Sequence, residues 1–406
     1  MSRRVVIIGA GITGALCAWR LRQAGWQVTV LEARHVGAGS SSRTAAGIRQ
    51  QFSTPETVLG MRFSVDFYRR FAQEVGGTRS PLVQNGYLFL LAGEGAWKQA
   101  ADRVAMQRGC GLSEVELLDP AQTVARFPWV DGQVIDGATW CPTDGFLRPE
   151  IVYNDALEAA RQQGVDLRQG AEVTAARHQG GRLVAVQARG EWHEADLFVD
   201  ASNAWSPRLA QVLGATVLPV APVKRYLWFI ERGGPMSEAE LLGMPLVITP
   251  PGAYCRPENG ASLMVGFAHD ALPEPAFSYE DQDAIEPDFF HRGGADGKAV
   301  QAWLTLAEYL PPVGEFAGIS ATTAGYYGST PDHNPFLGYD PAVPNLLRLV
   351  GFSGHGAMFG PFTAQVAACL AHAGTNLAEV QVLGRSASLT PFLPGRPFAH
   401  CEQMVI

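Results

Sequence analysis

The feature that most constrains this chain is Gly9-Ala-Gly-Ile-Thr-Gly14, set between two short apolar stretches. Before it, Arg4-Val-Val-Ile-Ile8 is a compact β-branched run that reads as a buried strand. After it, Ile12 to about Ala24 carries Leu16, Trp19 and Leu21 at helical spacing and stops at Gly25. Gln27-Val-Thr-Val-Leu31 then reads as a second strand ending on Glu32. Together these make a βαβ unit of about 30 residues. Three glycines at this spacing permit a tight strand-to-helix turn, a bare backbone for a diphosphate, and close helix–strand packing. The helix N-terminus adds positive partial charge under the phosphates. Glu32 follows Gly14 by 18 residues and can accept from both hydroxyls of a ribose, which disfavours a 2′-phosphate. The unit predicts a dinucleotide site at Gly9, Gly11 and Gly14.

The same segment imitates a secretory leader, because Arg3 and Arg4 precede an apolar run that reaches Trp19. That run is too short for a membrane span, which needs about 18–20 apolar residues, and the turn explains its glycines. The 406 residues suit two or three units, at about 150 residues each. A composition of 47% hydrophobic and 17% charged residues excludes a disordered chain. A net charge of −8 offers no footprint for nucleic acid. The six cysteines form no C-x-x-C pair, which argues against zinc or thioredoxin-like chemistry and for a reduced, cytoplasmic protein with no metal.

Further along, helices are expected near 56–72, 96–108 and 151–163, and strands near 86–91, 166–167, 171–175 and 197–201. A hairpin is expected at Gly180-Gly181, and residues 139–146 read as an extended loop. Between 222 and 310 the pattern becomes antiparallel strands, near 224–230, 246–249, 253–256 and 263–267. Residues 277–297 are acidic and turn-rich, the signature of a surface connection. A last buried strand, 346–350, leads through Gly351-Phe-Ser-Gly-His-Gly356 into a helix to about Ala373. The expected fold is α/β. A discontinuous nucleotide-binding domain (1–85, 148–221 and 318–406) carries an inserted antiparallel-sheet substrate domain (86–147 and 222–317, α+β).

Ser40-Ser-Ser-Arg43 supplies hydroxyls and a guanidinium just beyond the second strand, either as a solvated loop or as a grip on a second part of a large dinucleotide. The Gly351–Gly356 loop gathers N–H donors at a positive helix end, with Pro361 placed for a first turn. Reduced flavin carries negative charge near N1 and the C2 oxygen and suits such a point, which favours FAD over NAD. His355 is either a donor there or a satisfied structural histidine.

Residues 1–47, Asp200–Ser206, Thr330-Pro-Asp332 with Pro335-Phe-Leu-Gly338, and Gly351–Gly356 together resemble the D-amino acid oxidase-like flavoprotein family, in the expected order over nearly the whole chain. Ser42-Arg-Thr-Ala-Ala-Gly-Ile-Arg-Gln-Gln-Phe52 is most similar to the sarcosine oxidase beta-subunit and dimethylglycine dehydrogenase branch. The resemblance implies a Rossmann-like FAD-binding domain and a sheet-based substrate domain. It also implies oxidation of a C–N bond in an amine or amino acid, N-methyl or secondary amino acids being favoured. Hydride would pass to flavin N5 and leave an imine that hydrolyses.

Carried onto this sequence, the implied cofactor residues are Gly9, Gly11, Ile12, Thr13, Gly14, Glu32, Ala33, Ser41, Ser42, Arg43, Thr44, Val173, Ala201, Trp205, Gly325, Gly354, His355, Gly356 and Met358. Asn203 departs from the family's usual glycine, while Trp205 keeps its pattern. Thr44 and Gly325 stand where relatives attach flavin through histidine or cysteine, so non-covalent FAD is expected. Met264 and Met358 replace two lysines, one of which activates oxygen, so an electron-acceptor protein becomes a candidate partner.

Arg49 falls where the family often binds a substrate carboxylate, a task its planar fork suits. An arginine there can equally pair with the cofactor or a surface acid. Tyr254 sits on a substrate-domain strand, either touching substrate or as a core or rim tyrosine. Arg49, Tyr254 and His355 form the candidate catalytic set, with Tyr326, Tyr327 and His333 as pocket wall. Trp228, Phe229 and Phe267 read as strand core rather than an aromatic cage. The same branch includes flavoproteins that act as assembly or partner-binding factors and flavin subunits of larger dehydrogenases, which are the alternative roles.

Overall fold

Strand Arg4–Ile8 sends Val5 and Ile7 into one apolar core and Val6 and Ile8 into another. A strand covered on both faces has to be apolar at every position, which is why the sequence run does not alternate. In the computed structural model, which describes residues 3–267, 284–285 and 296–405, this strand lies inside a six-stranded sheet. The order across the sheet is 336–339, 346–350, 197–200, 4–8, 27–32 and 166–169. All pairings are parallel except that of the edge strand Phe336–Tyr339.

Helix Ile12–Gln23 packs on one face between helices Pro149–Gln162 and Gly356–Ala373. A three-stranded antiparallel sheet (173–179, 182–188 and 191–194) and helix Ser206–Val212 cover the other face. The first helix is seated by its glycines. A Cβ on Gly14 would lie 1.9 Å from the Gly9 carbonyl oxygen, and Gly9 itself has φ +109°. Pro361 lies inside helix Gly356–Ala373, past the first turn expected for it, and has no N–H for the Ala357 carbonyl. The Tyr68 hydroxyl donates to that carbonyl at 2.7 Å instead.

The second sheet has eight strands, in the order 318–329, 221–231, 262–267, 253–259, 246–248, 87–91, 137–141 and 116–118. Two excursions of the chain build it. They meet at Tyr87–Leu91 beside Leu246–Ile248, a parallel pair within an otherwise antiparallel sheet. Tyr226, Trp228, Cys255, Leu263 and Val265 point to a core with helix Lys298–Tyr309. Tyr87, Phe89, Leu227, Tyr254 and Met264 share the opposite face, with Phe229 partly buried against them. Trp228 is strand core, as its residue type suggested, and Phe267 is partly buried against the same core.

Two further local expectations change, and a third lies largely outside the described residues. Residues 139–146 are not an extended loop but strands Gly137–Cys141 and Gly145–Leu147 joined by a turn. Thr139, Trp140 and Cys141 are buried and paired with 87–89, while Pro142 marks only the turn and Gly145 opens the second strand opposite Ile48. The helix expected over 56–72 divides at Arg70 into Pro55–Arg69 and Phe71–Val75. The connection expected at 277–297 falls outside the described residues except at 284–285 and 296–297. Among the described residues no helix is long and apolar enough to cross a membrane.

At the carboxyl ends of the parallel strands, fully buried Arg348 donates to Asp200 (3.1 Å), Asp340 (2.6 Å), Ser206 Oγ (2.7 Å) and the Thr216 carbonyl (2.7 Å). Asp200 in turn accepts from the Ser202 backbone N–H at 2.9 Å and from the Ser206 hydroxyl at 2.8 Å. The cluster thereby shapes the turn that carries Trp205. Arg348→Met leaves two carboxylates buried without their cation, and such an uncompensated pair costs about 3–5 kcal/mol. Urea unfolding of the FAD-loaded protein is expected to show that loss, and a change below about 1 kcal/mol contradicts the assigned role.

Candidate functional site

One cavity of about 670 Å³ runs along the carboxyl ends of the parallel strands. The volume is that of a cofactor-sized ligand site. At one end it is lined by Gly9, Gly11, Ile12 and Thr13 of the first turn, and by Glu32 and Ala33 after the second strand. At the other it is lined by Tyr326, Tyr327, Phe352, Gly354, Gly356 and Ala357. Ser41, Arg43 and Thr44 join the wall between them, with Val173, Ala201, Asn203 and Trp205 also lining the cavity. Two glycine-rich turns separated by more than 300 residues therefore face a single space.

Both helices that reach this space begin without a side-chain cap, behind Gly11 and behind His355. The N–H groups of a helix's first turn have no intrahelical partner, so apart from the Ile12 N–H, which Ser41 takes, these starts leave them for a ligand. Glu32 accepts from the Ala10 N–H at 2.8 Å and the Arg34 N–H at 2.9 Å, which fixes its carboxylate beside the cavity. Ser41 Oγ accepts from the Ile12 N–H at 3.0 Å, and a Cβ on Gly11 would lie 2.7 Å from that oxygen. Acidic cradle, bare turn and two positive helix ends match the ribose, diphosphate and ring of FAD in sequence along one cavity.

Asn203, the departure from the family pattern, has φ +48°. Asparagine tolerates this left-handed conformation better than most residues. Its Oδ1 accepts from the Gly351 N–H at 3.1 Å and the Phe352 N–H at 3.3 Å. The side chain thus ties the turn after one parallel strand to the loop after the next.

Not every expected residue lines the cavity. Gly14 lies beneath the turn as a packing glycine, and Ser42 is exposed. A Cβ on Gly325 would lie 2.8 Å from the Arg43 carbonyl, so Gly325 backs the wall rather than forming it. Met358 is buried in the helix core. Met264 lies on the sheet face that carries Tyr254. The Tyr254 hydroxyl is hydrogen-bonded to Tyr327; burial first, and then Tyr327, hold its pKa well above 10.

Arg49 and His355 meet beside the cavity. Arg49 is fully buried, with its guanidinium carbon 4.1 Å from the centre of the Phe52 ring and 5.2 Å from that of Phe89. Its Nη1 donates to the Gln51 carbonyl at 2.9 Å. Its Nη2 donates to the Met404 carbonyl and contacts His355 Nε2 at 3.2 Å. Nε has no partner. Arginine has no lone pair to offer, so His355 Nε2 is the acceptor and the ring proton resides on Nδ1, which also lacks a partner. Burial, then the Arg49 charge and His333, push the His355 pKa well below its ordinary value. The imidazole is neutral.

Sequence reasoning missed what holds this pair. Buried Asp144 accepts from the Gln50 N–H and Gln50 Nε2, each at 2.9 Å, and from Gln51 Nε2 at 3.2 Å. Burial raises its pKa to about 6, against the lowering effect of those donors. Asp144 therefore fixes the Gln50-Gln51 backbone next to Arg49. Its only signal was an acid inside an otherwise apolar strand–turn–strand stretch.

Residues 4–370 match the protein family described as FAD dependent oxidoreductase. The chain is 30% identical to FAD-dependent oxidoreductase domain-containing protein 1 of Bos taurus, over 97% of this chain and 84% of that protein. It is 24% identical to mitochondrial sarcosine dehydrogenase of Mus musculus, over 88% of this chain and 38% of that longer protein. Among solved structures, L-proline dehydrogenase from P. horikoshii superposes with a TM-score of 0.81 at 27% identity, covering 92% of this chain and 94% of that one. The chain belongs to the FAD-dependent oxidoreductase family, with FAD as its cofactor.

Proposed function

We propose that this protein oxidises the C–N bond of a carboxylate-bearing amine, with N-methyl and other secondary amino acids as preferred substrates. One observation carries the reading: Arg49 is a wholly buried guanidinium beside the cofactor cavity, held by neutral acceptors and ring faces, with an unpartnered Nε. A charge kept at that cost is accounted for by an anionic ligand. Sarcosine dehydrogenase and L-proline dehydrogenase, to which the chain is similar, are named for substrates of this kind.

In this reading the two domains are those expected from the sequence, except that strand 318–329 pairs with 221–231 in the eight-stranded sheet rather than joining the FAD-binding domain. The first-turn residues, Glu32, Ser41, Arg43 and Thr44 would hold the nucleotide half of FAD, and Gly354, Gly356 and Ala357 would face its ring. When bound, FAD supplies the two-electron acceptor for the hydride leaving the substrate carbon. Arg49 fixes the substrate carboxylate by two parallel N–H donors and so orients the C–H bond. The lone pair of a neutral substrate amine forms the C=N bond as the C–H bond breaks, and water hydrolyses the imine to a carbonyl compound and an amine. His355 keeps Nε2 engaged with Arg49, which makes it a positioning residue rather than a base. Tyr254 remains protonated and offers a hydroxyl at the sheet face. Cys17, Cys110, Cys141, Cys255, Cys369 and Cys401 are all free thiols, which suits a reducing, cytoplasmic setting.

Anaerobic mixing of the FAD-loaded protein with N-methyl amino acids, cyclic imino acids and D-amino acids is expected to bleach the flavin. The corresponding amines without a carboxylate should bleach it only at far higher concentration. Arg49→Lys, which loses the fork, should raise KM about a hundredfold, the worth of one hydrogen bond to a charged group. No bleaching by any member of the panel would favour a partner-binding role instead.

FAD is held without a covalent bond in this reading, since neither Thr44 nor Gly325 can form one. Met264 and Met358, both buried, provide no cation to favour oxygen reduction, which points to another electron acceptor, such as a protein. Acid precipitation is expected to leave all flavin in the supernatant, and photoreduced protein should reoxidise slowly in air. Yellow pellets or rapid reoxidation contradict the respective statement.

His355 also sets a pH dependence. Its folded pKa lies below the ordinary 6.5, so below pH 6.5 the unfolded chain binds a proton that the folded protein does not. The stabilisation is fully present above about pH 6.5 and is lost as pH falls, by about 1.4 kcal/mol per pH unit. His355→Gln should remove that slope. Urea titrations of both proteins between pH 5 and 8 test this, and parallel profiles would count against a neutral buried imidazole.

A further inference from the structure

The last described stretch of the chain turns back to Arg49. Arg396 grips Asp332 in a buried two-point pair at 2.7 and 2.8 Å. The His400 carbonyl accepts from Asn334 Nδ2 at 2.7 Å, and the Glu402 N–H donates to the Asp332 carbonyl at 3.0 Å. The Glu402 carboxylate is buried. It accepts from the Ser53 N–H (2.9 Å), the Ser53 hydroxyl (2.6 Å), the Thr54 hydroxyl (3.1 Å) and the Met404 N–H (2.9 Å). These are charge-assisted bonds and make Glu402 a firm anchor.

Beyond Glu402 the attachment changes in kind. Gln403 is exposed, and its N–H donates to Ser53 Oγ at 2.9 Å. Met404 is half-buried; its carbonyl accepts from Arg49 Nη2, and its side chain packs against the sheet face of Tyr87, Phe89, Tyr254 and Met264. One residue therefore fills two places at once: a carbonyl oxygen on the guanidinium and an apolar group on that sheet face.

We propose that residues 400–404 form a displaceable strap, in which the Met404 carbonyl occupies on Arg49 the place that the substrate carboxylate takes. Glu402 keeps the base of the strap fixed, and residues 403 and 404 withdraw when substrate enters. This rests on the reading of Arg49 as the carboxylate anchor. The exchange is favourable in direction, because a neutral carbonyl takes one N–H while a carboxylate takes two and meets the charge. The strap keeps the buried guanidinium hydrogen-bonded between turnovers, and its methionine holds the apolar face out of water. Since the occupant is part of the chain, any carboxylate ligand competes with it.

The test uses FAD-loaded protein and pyrrole-2-carboxylate, a planar carboxylate, followed by calorimetric titration. Deleting residues 403–406, which removes the Met404 N–H from Glu402 but keeps its bonds to Ser53 and Thr54, is expected to tighten binding about tenfold, the effect of removing one competing neutral hydrogen bond. Arg49→Lys should weaken binding about a hundredfold in both the full-length and the shortened chain. Unchanged affinity on deletion, with Arg49→Lys still weakening binding, overturns the strap and leaves the anchor standing. Equal binding by the parent and Arg49→Lys overturns the anchor, and the strap with it. Hydrogen exchange on the full-length protein gives a second measurement independent of the deletion. Exchange at the N–H groups of Gln403 and Met404 should rise at saturating pyrrole-2-carboxylate, and unchanged protection there overturns the proposal.

Discussion

Helix 12–23 can sit where it does only because its third residue has no side chain. With a Cβ on Gly14 placed 1.9 Å from the Gly9 carbonyl, any other residue would push the helix off the strand that feeds it. That one contact sets the position of the helix start, and hence of the uncapped N–H groups at the cavity floor. It also sets the depth at which helices 149–162 and 356–373 pack, because both lean on helix 12–23. The second uncapped helix start, behind His355, is thereby aimed at the same cavity. A ligand long enough to reach both ends has its charge complemented at each of them by fixed dipoles.

The two sheets then divide the work by alternation. On the eight-stranded sheet, Tyr226, Trp228 and Val265 are spent on a core with helix 298–309, and their neighbours Leu227, Tyr254 and Met264 face the other way. The face of Tyr87, Tyr254 and Met264 is thus the reverse side of a packed core, which keeps its side chains in place without their packing on one another alone. The parallel pair 87–91 and 246–248 stitches two separate excursions of the chain into that surface.

How much of this was legible in the sequence depended on how local each cause is. The βαβ unit, its glycines and Glu32 were legible because strand run, turn and helix lie within 30 residues of one another. The loop at Gly351–Gly356 was legible for the same reason. Residues 139–146 were misread because Pro142 marks only a turn, and Gly145 opens a strand, in a strand pair whose partners are near Leu88 and Val83. Asn203 was visible as a departure, but its meaning lies in a φ of +48° and in N–H groups 148 and 149 residues away. Asp144, Glu402 and Met404 carried no motif. Their partners are 94, 349 and 355 residues distant, and only the folded chain brings them together.

The treatment of Arg49 explains why those distant residues matter. Burial lowers the pKa of its guanidinium, and Tyr87, Glu402 and Asp144 act in the opposite direction from nearby. A carboxylate placed directly against it would have removed the electrostatic cost, and would also have used up the fork. Instead, Glu402 bonds Ser53 and Thr54, and Asp144 bonds Gln50 and Gln51. Their fields stabilise the cation while their oxygens stay committed elsewhere. The groups that touch Arg49 are two backbone carbonyls, a neutral imidazole and aromatic faces. Such a shell keeps a buried charge ionised without neutralising it, and leaves it to a ligand that brings the opposite sign.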